Sequence, residues 1–178
     1  GEIEPVHIEG ERVSSTRIRE ALRAGEFAHA AALLGRPYSI SGRVVRGRQL
    51  GRTLGYPTAN LRFPRTPALS GIYATRVHGV GAAPWPSVSS FGTRPTVDGV
   101  DPLLEAHLFD FEGDLYGRHL QVEFVARLRD EEKFPDLQAL TAQMHRDAPE
   151  ARRLLNAGPS QNPAHPRADS PTKNAARR

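Results

Sequence analysis

The 178-residue sequence contains no cysteine. Disulfides and thiolate–metal centres are therefore excluded. No apolar run approaches membrane-spanning length, and no signal-peptide pattern is visible. The default expectation is a soluble cytoplasmic protein with no membrane partner. Two phosphate-binding signatures are also missing. No Gly-Lys-Ser/Thr closes a Walker A loop, and Gly-x-Gly-x-x-Gly is absent. The seven histidines show no ligand-like spacing, so no transition-metal site is expected. Excess charge is small, a net +4, and unevenly placed. From Asn156 onward four cations (Arg167, Lys173, Arg177, Arg178) face one anion (Asp169), which leaves the rest of the chain nearly neutral. A basic balance that comes mostly from a tail is weak evidence for nucleic acid as a partner, and none is expected.

Glycine (16) and proline (15) are plentiful, which favours a turn-rich β architecture over a helical bundle. Apolar alternation predicts strands over Tyr38–Arg46, Gly71–Val80, Trp85–Phe91, Leu103–Phe111 and His119–Leu128. Val97-Asp-Gly99 and Phe111-Glu-Gly-Asp114 read as hairpin turns. Five or six short strands at this spacing suggest a small antiparallel barrel. Before them, Ser14 or Ser15 caps a short helix stopped by Gly25, and a second helix covers Phe27–Leu34. After them, a helix is expected from about Pro135 to His145, with Leu137, Leu140 and Met144 on a core-facing stripe. Pro149 opens a further short helix to Leu155. Beyond residue 156 the Pro/Ser/Asn/Ala tail lacks periodicity and reads as disordered.

One stretch stands out: Gly47-Arg-Gln-Leu-Gly51-Arg-Thr-Leu-Gly55-Tyr-Pro-Thr-Ala-Asn60. Glycines at four-residue spacing let the backbone approach a ligand. Arg48 and Arg52 suit an anionic one. Pro57 stiffens the tetrad that follows. Thr58 and Asn60 offer hard oxygen ligands of the kind Mg²⁺ takes beside phosphates. A second point lies in Leu104-Glu-Ala-His-Leu108. Alternation puts Glu105 and His107 on one face, and Leu104, Ala106 and Leu108 on the other. The apolar face should pack into the barrel and the polar face should line a ligand surface.

These segments together resemble the riboflavin kinase family. Gly51–Asn60 looks like its signature. Gly71-Ile-Tyr-Ala resembles the strand that follows, and Phe91-Gly-Thr-Arg-Pro-Thr96 its Ile-Gly-x-x-Pro-Thr segment. Leu104–Phe111 resembles Leu-Glu-x-His-x-x-Asp-Phe, and Leu128–Phe134 the closing Leu-Arg-x-Glu-x-Lys-Phe. The match runs in order from about Gly35 to Leu155. It implies a mainly β fold: a six-stranded Greek-key barrel over residues 35–156, followed by a helix. It implies a kinase that phosphorylates the riboflavin 5′-hydroxyl with ATP and Mg²⁺, giving FMN and ADP; the alternative is a flavin-binding barrel without turnover. Glu105 matches the family's general base. The loop from Gly42 to Gly55 would close over the ATP phosphates, with Gly47, Gly51, Arg52, Gly55 and Pro57 beside Thr58 and Asn60, the two Mg²⁺ ligands. The flavin slot falls to Arg129, Glu132 and Phe134 and to the helix after them.

Val13-Ser-Ser-Thr-Arg-Ile-Arg19 resembles the Ile-Ser-Ser-Thr-x-x-Arg motif of nucleotidylyltransferases, in which a helix N-terminus holds ATP phosphates. In bacterial bifunctional FAD synthetases an FMN adenylyltransferase module with this motif precedes the kinase. The resemblance implies that residues 1–34 are the end of such a module, with Ser14, Ser15, Thr16 and Arg19 as its remnant motif. The nucleotide-binding fold of that module is not in the sequence, and this chain is not expected to make FAD alone.

Overall fold

The computed structural model describes residues 7–8, 11–47, 51, 54–63, 69–96 and 99–157, the side chains of 11, 94–96 and 99–101 excepted. Six strands close into an antiparallel barrel: β3 (Ser39–Val45), β4 (Ala59–Arg62), β5 (Gly71–His78), β6 (Trp85–Thr96), β7 (Gly99–Leu108) and β8 (His119–Arg129). They run around the ring in the order β3-β4-β7-β6-β5-β8. Strands β5, β6 and β7 follow as hairpins, and β8 returns to lie beside β5, which is the Greek-key arrangement. A two-residue ladder, β1 (His7–Ile8) with β2 (Glu11–Arg12), precedes two helices, α1 (Ser15–Ala24) and α2 (Phe27–Leu34). Helix α3 (Leu137–Asn156) ends the described chain.

Alternation decides which side chains fill the barrel. Leu104, Ala106 and Leu108 of β7 point inward with Leu61, Tyr73, Val77, Phe91, Leu120, Val122 and Phe124. The same cluster takes in Ala21, Leu22, Phe27 and Ala30 of α1 and α2. Phe27 stacks on Phe124 and meets Tyr73 edge-on, so the helical pair seals one part of the barrel with aromatic contact. Gly25 ends α1 at φ 77°, and its N–H bonds back to the Ala21 and Leu22 carbonyls. On the outer surface Ala74, Phe109 and Ala126 pack against Ala148, Ala151 and Leu155 of α3. Small residues on both sides bring helix and sheet close.

Four expectations need correction. A strand, β4, runs over Ala59–Arg62 and takes in the last two residues of the tetrad, where alternation predicts none; four residues are too few for it to show. Gly42 belongs to β3, opposite Leu120, and not to the glycine loop. Phe111–Asp114 is not a hairpin turn, because β7 and β8 are not neighbours in the ring. The connection instead runs along β3, where Gly117 N–H donates to the Val44 carbonyl and Val44 N–H to that of Arg118. Finally, α3 is one helix, with Pro149 inside it. Asp136 caps its start by accepting from Ala139 N–H at 2.7 Å. The seating of Ala148, Ala151 and Leu155 carries the helix through the proline, which removes one backbone bond and costs about 3 kcal/mol. Of the other readings, the Val97-Asp98 turn lies outside the described residues, as does the tail from residue 158; Thr96 pairs with Gly99.

Candidate active site

The outer face of the sheet carries a row of residues held in register. Val45 lies opposite Asn60, Asn60 opposite Glu105, Glu105 opposite Ser90, Ser90 opposite Ile72, and Ile72 opposite Arg129. Paired residues in neighbouring strands share a face, so the row runs from the tetrad to the closing motif across five strand pairings. A register shift between Ile72 and Tyr73 makes the last match. It skips Leu128 and brings Arg129 into the row, as bulges beside ligand sites often re-aim a side chain.

Over this row lies a cavity of about 280 Å³. Its floor is Ile72, Val88, Ser89, Ser90, Glu105 and His107. One wall is the turn with Gly51, Leu54, Tyr56 and Thr58. The opposite wall is α3 through Leu140, Met144 and Asp147, with Arg129 beside it. The wall from α3 corrects the sequence reading, in which Leu140 and Met144 were core. Helical spacing predicts a buried stripe but does not say whether the stripe meets protein or a hollow. Leu137, the third residue of that stripe, is 53% exposed.

Local contacts fix the walls. Tyr56 N–H and Leu54 N–H both donate to the Gly51 carbonyl, which folds the turn on itself. A Cβ on Gly51 would overlap the Tyr56 carbonyl oxygen, so this position requires glycine. Tyr56 Oη lies 2.9 Å from His145 Nδ1 of α3 and joins the two walls. The Pro57 carbonyl accepts from His107 Nδ1 at 2.9 Å. That bond places the proton of the neutral ring on Nδ1. Burial holds the His107 pKa below the ordinary imidazole value, against the opposing pull of the Pro57 bond.

Asn60 sits beneath the wall rather than on it. It is 4% exposed, and its Oδ1 has no hydrogen-bond partner among the described residues. A Cβ on Gly47 would overlap the Asn60 amide, so Gly47 covers it closely. A buried carbonyl oxygen without a partner is costly in a protein interior.

The structure thus brings Gly51, Thr58, Glu105 and Arg129 to one cavity, with Gly47, Pro57 and Asn60 against its elements. Gly55 sits in the turn at φ 80° without lining the cavity. Arg48 and Arg52 lie outside the described residues. Glu132 is exposed and Phe134 half-buried; neither lines the cavity, although the Phe134 ring lies 5.6 Å from the Arg129 guanidinium. Ser14 caps α1 by accepting from Arg17 N–H, and Arg19 donates to Ser15 Oγ. Neither they nor Thr16 line the cavity. Sequence reasoning missed Tyr56, Ile72, Val88, His145 and Asp147. Asp147 left a signal: Leu140, Met144 and Asp147 fall at helical spacing, and a carboxylate on an otherwise apolar stripe asks for a partner.

Three comparisons bear on the assembly. A family model described as "Flavokinase: Riboflavin kinase" matches residues 34–155. Among curated proteins, the bifunctional riboflavin kinase/FMN adenylyltransferase of Escherichia coli K12 is 49% identical over 147 residues, 82% of this chain and 47% of that protein. That of Pseudomonas fluorescens is 46% identical over 84% of this chain and 48% of that protein. That of Bacillus subtilis is 35% identical over 86% and 50%. The chain therefore spans about half the length of the curated relatives it matches. Among solved structures, a Streptococcus pneumoniae protein described as a macrolide-efflux protein superposes with TM-score 0.73 at 37% identity, over 84% of this chain and 50% of that one. The riboflavin kinase of Trypanosoma brucei superposes with TM-score 0.50 at 23% identity, over 68% of this chain and 82% of that one, a likeness of fold. No helix among the described residues is long and apolar enough to cross a membrane.

Proposed function

The chain belongs to the riboflavin kinase family, and from that premise we propose that it transfers the γ-phosphoryl group of ATP to the 5′-hydroxyl of riboflavin, giving FMN and ADP, in the cytoplasm. The observation that carries this reading is the cavity itself. Its lining combines Glu105 and Thr58 with the apolar side chains of Ile72, Val88, Leu140 and Met144. A ribityl chain needs the first, and a flat isoalloxazine ring the second.

Phosphoryl transfer asks for positioning and for charge neutralisation. The glycine turn supplies backbone close to the phosphates. The buried Oδ1 of Asn60, without a partner among the described residues, fits a hard cation together with Thr58, so these two residues would hold Mg²⁺, and that ion would offset charge on the transferring phosphates. Glu105 takes the proton from the ribityl 5′-hydroxyl as that oxygen bonds to the γ-phosphorus and ADP departs. His107, bonded to the Pro57 carbonyl, keeps the tetrad beside Glu105. Gly47 keeps the Asn60 amide in place. Adenylylation of FMN belongs, on this reading, to the half of the longer relatives that the chain does not span. Ser14, Ser15, Thr16 and Arg19 are the end of that part, and residues 35–156 are the kinase.

The test is FMN formation from riboflavin, ATP and Mg²⁺, followed by chromatography. Glu105→Gln should lower the rate by about 10²–10⁴-fold while riboflavin still binds. Absence of FMN with the unaltered chain would overturn the reading. An unchanged rate in Glu105→Gln would remove Glu105 from the chemistry.

A further inference from the structure

Asp147 is among the few charged residues buried in the described chain, at 7% exposure, and it stands on the cavity wall. Its carboxylate is bound from three directions. Arg129 Nε lies 3.0 Å from Oδ1 and 3.1 Å from Oδ2, Arg129 Nη2 lies 2.7 Å from Oδ2, and Gln143 Nε2 donates to Oδ1 at 2.8 Å. Those bonds leave the carboxylate little capacity for a ligand. Arg129 is different. Nε and one Nη2 N–H go to Asp147, and one Nη1 N–H goes to the Asp130 carbonyl at 2.9 Å. A guanidinium has five N–H donors. The remaining two, one on Nη1 and one on Nη2, have no acceptor among the described residues, on a side chain that itself lines the cavity.

A plain staple between α3 and β8 would explain the ion pair, but not why it faces a hollow. Nor would it explain the register shift that brings Arg129 rather than Leu128 into the site row. A fixed fork of two donors matches a ligand edge with two acceptors side by side. An isoalloxazine ring offers that pattern in its C2 carbonyl oxygen beside N1 and in its C4 carbonyl oxygen beside N5, whereas N3–H between the two carbonyls is a donor. We propose that Asp147 is a positioning residue that aims the Arg129 guanidinium at the carbonyl–nitrogen edge of the flavin, and so sets which end of the ring meets β8 and which lies against Leu140 and Met144. This rests on the riboflavin reading and deepens it. The substrate class is a planar heterocycle with paired acceptors on one edge and an apolar opposite edge.

Binding is read by quenching of flavin fluorescence, with riboflavin and with lumiflavin, which has the same ring system and no ribityl chain. Asp147→Asn and Arg129→Lys should each weaken both ligands by about tenfold, and the double variant by little more than either alone. Asp147→Glu should recover part of the loss. In turnover, KM for riboflavin should rise while kcat and KM for ATP stay near the unaltered values. Unchanged affinity for lumiflavin in folded Asp147→Asn and Arg129→Lys would overturn the proposal, and so would a loss confined to riboflavin. The two readings fail separately. Lumiflavin weakened in the variants without any FMN formed by the unaltered chain sinks the kinase and keeps Asp147 in its role. FMN formed with unchanged lumiflavin affinity does the reverse.

Discussion

Two helical elements cover the same barrel in opposite ways. The α1–α2 pair adds Leu22 and Phe27 to the interior cluster, with Phe27 in ring contact with both Tyr73 and Phe124. Helix α3 lies on the outer face with alanines at its C-terminal half, and stands off at its N-terminal half, where Leu140 and Met144 wall a hollow. Close packing marks the part that serves stability. The standing-off half marks where a ligand completes the packing. One helix therefore has two jobs along its length, and the change comes at Asp147.

That contrast can be tested by its extremes. Phe27→Ala removes the aromatic plug and should cost about 3–5 kcal/mol of unfolding free energy, read by denaturant titration. Riboflavin affinity well below the unfolding midpoint should stay unchanged; a matching loss of affinity would mean that the two regions are not separable. Met144→Ala should do the opposite. It should weaken riboflavin about tenfold in the quenching assay, because an apolar wall is lost, while the midpoint of unfolding barely moves. A large loss of stability there would place Met144 in the core after all.

The smallest expected effect is a pH dependence at the join between sheet and tetrad. Because burial lowers the folded-state pKa of His107, the unfolded chain binds a proton first as pH falls below about 6.5. Stability is then lost progressively until pH drops below the folded value, where the loss levels off. His107→Gln should flatten that part of the stability–pH curve relative to the unaltered chain. Curves of equal slope would show that His107 is not the group responsible.

Much of this was legible in the sequence where the signal is local. Alternation placed five of six strands to within a few residues at most ends, except that β6 runs on to Thr96 and β7 starts at Gly99. It also assigned Glu105 and His107 to the outward face. What alternation lacks is the partner of each strand, so a crossing connection at Phe111–Asp114 looked like a hairpin. Strand β4 was hidden by its own tetrad, whose Pro and Asn carry turn signals. Pro149 broke the reading of α3 because its propensity is local, whereas the packing that overrides it comes from β5, β6 and β8. Leu140 and Met144 show the remaining limit: a sequence counts apolar residues but does not show the empty space in front of them.

The row from Val45 to Arg129 has a further consequence for how the chain tolerates insertions and deletions. Between strands, added residues leave every pairing in place. Within β7, losing one residue ahead of Glu105 would turn its carboxylate into the barrel and push Leu104 out, because a one-residue slip exchanges the faces. Length changes inside these strands are thus sorted by parity: odd ones invert the site, and even ones only slide it. The skipped Leu128 is such an odd step already taken. Deleting Leu128 would remove that step and keep Arg129 opposite Ile72, and deleting Val125, skipped by a second shift between Ala74 and Thr75, would do the same, so these are the two single-residue deletions in β8 that this geometry leaves the site able to absorb.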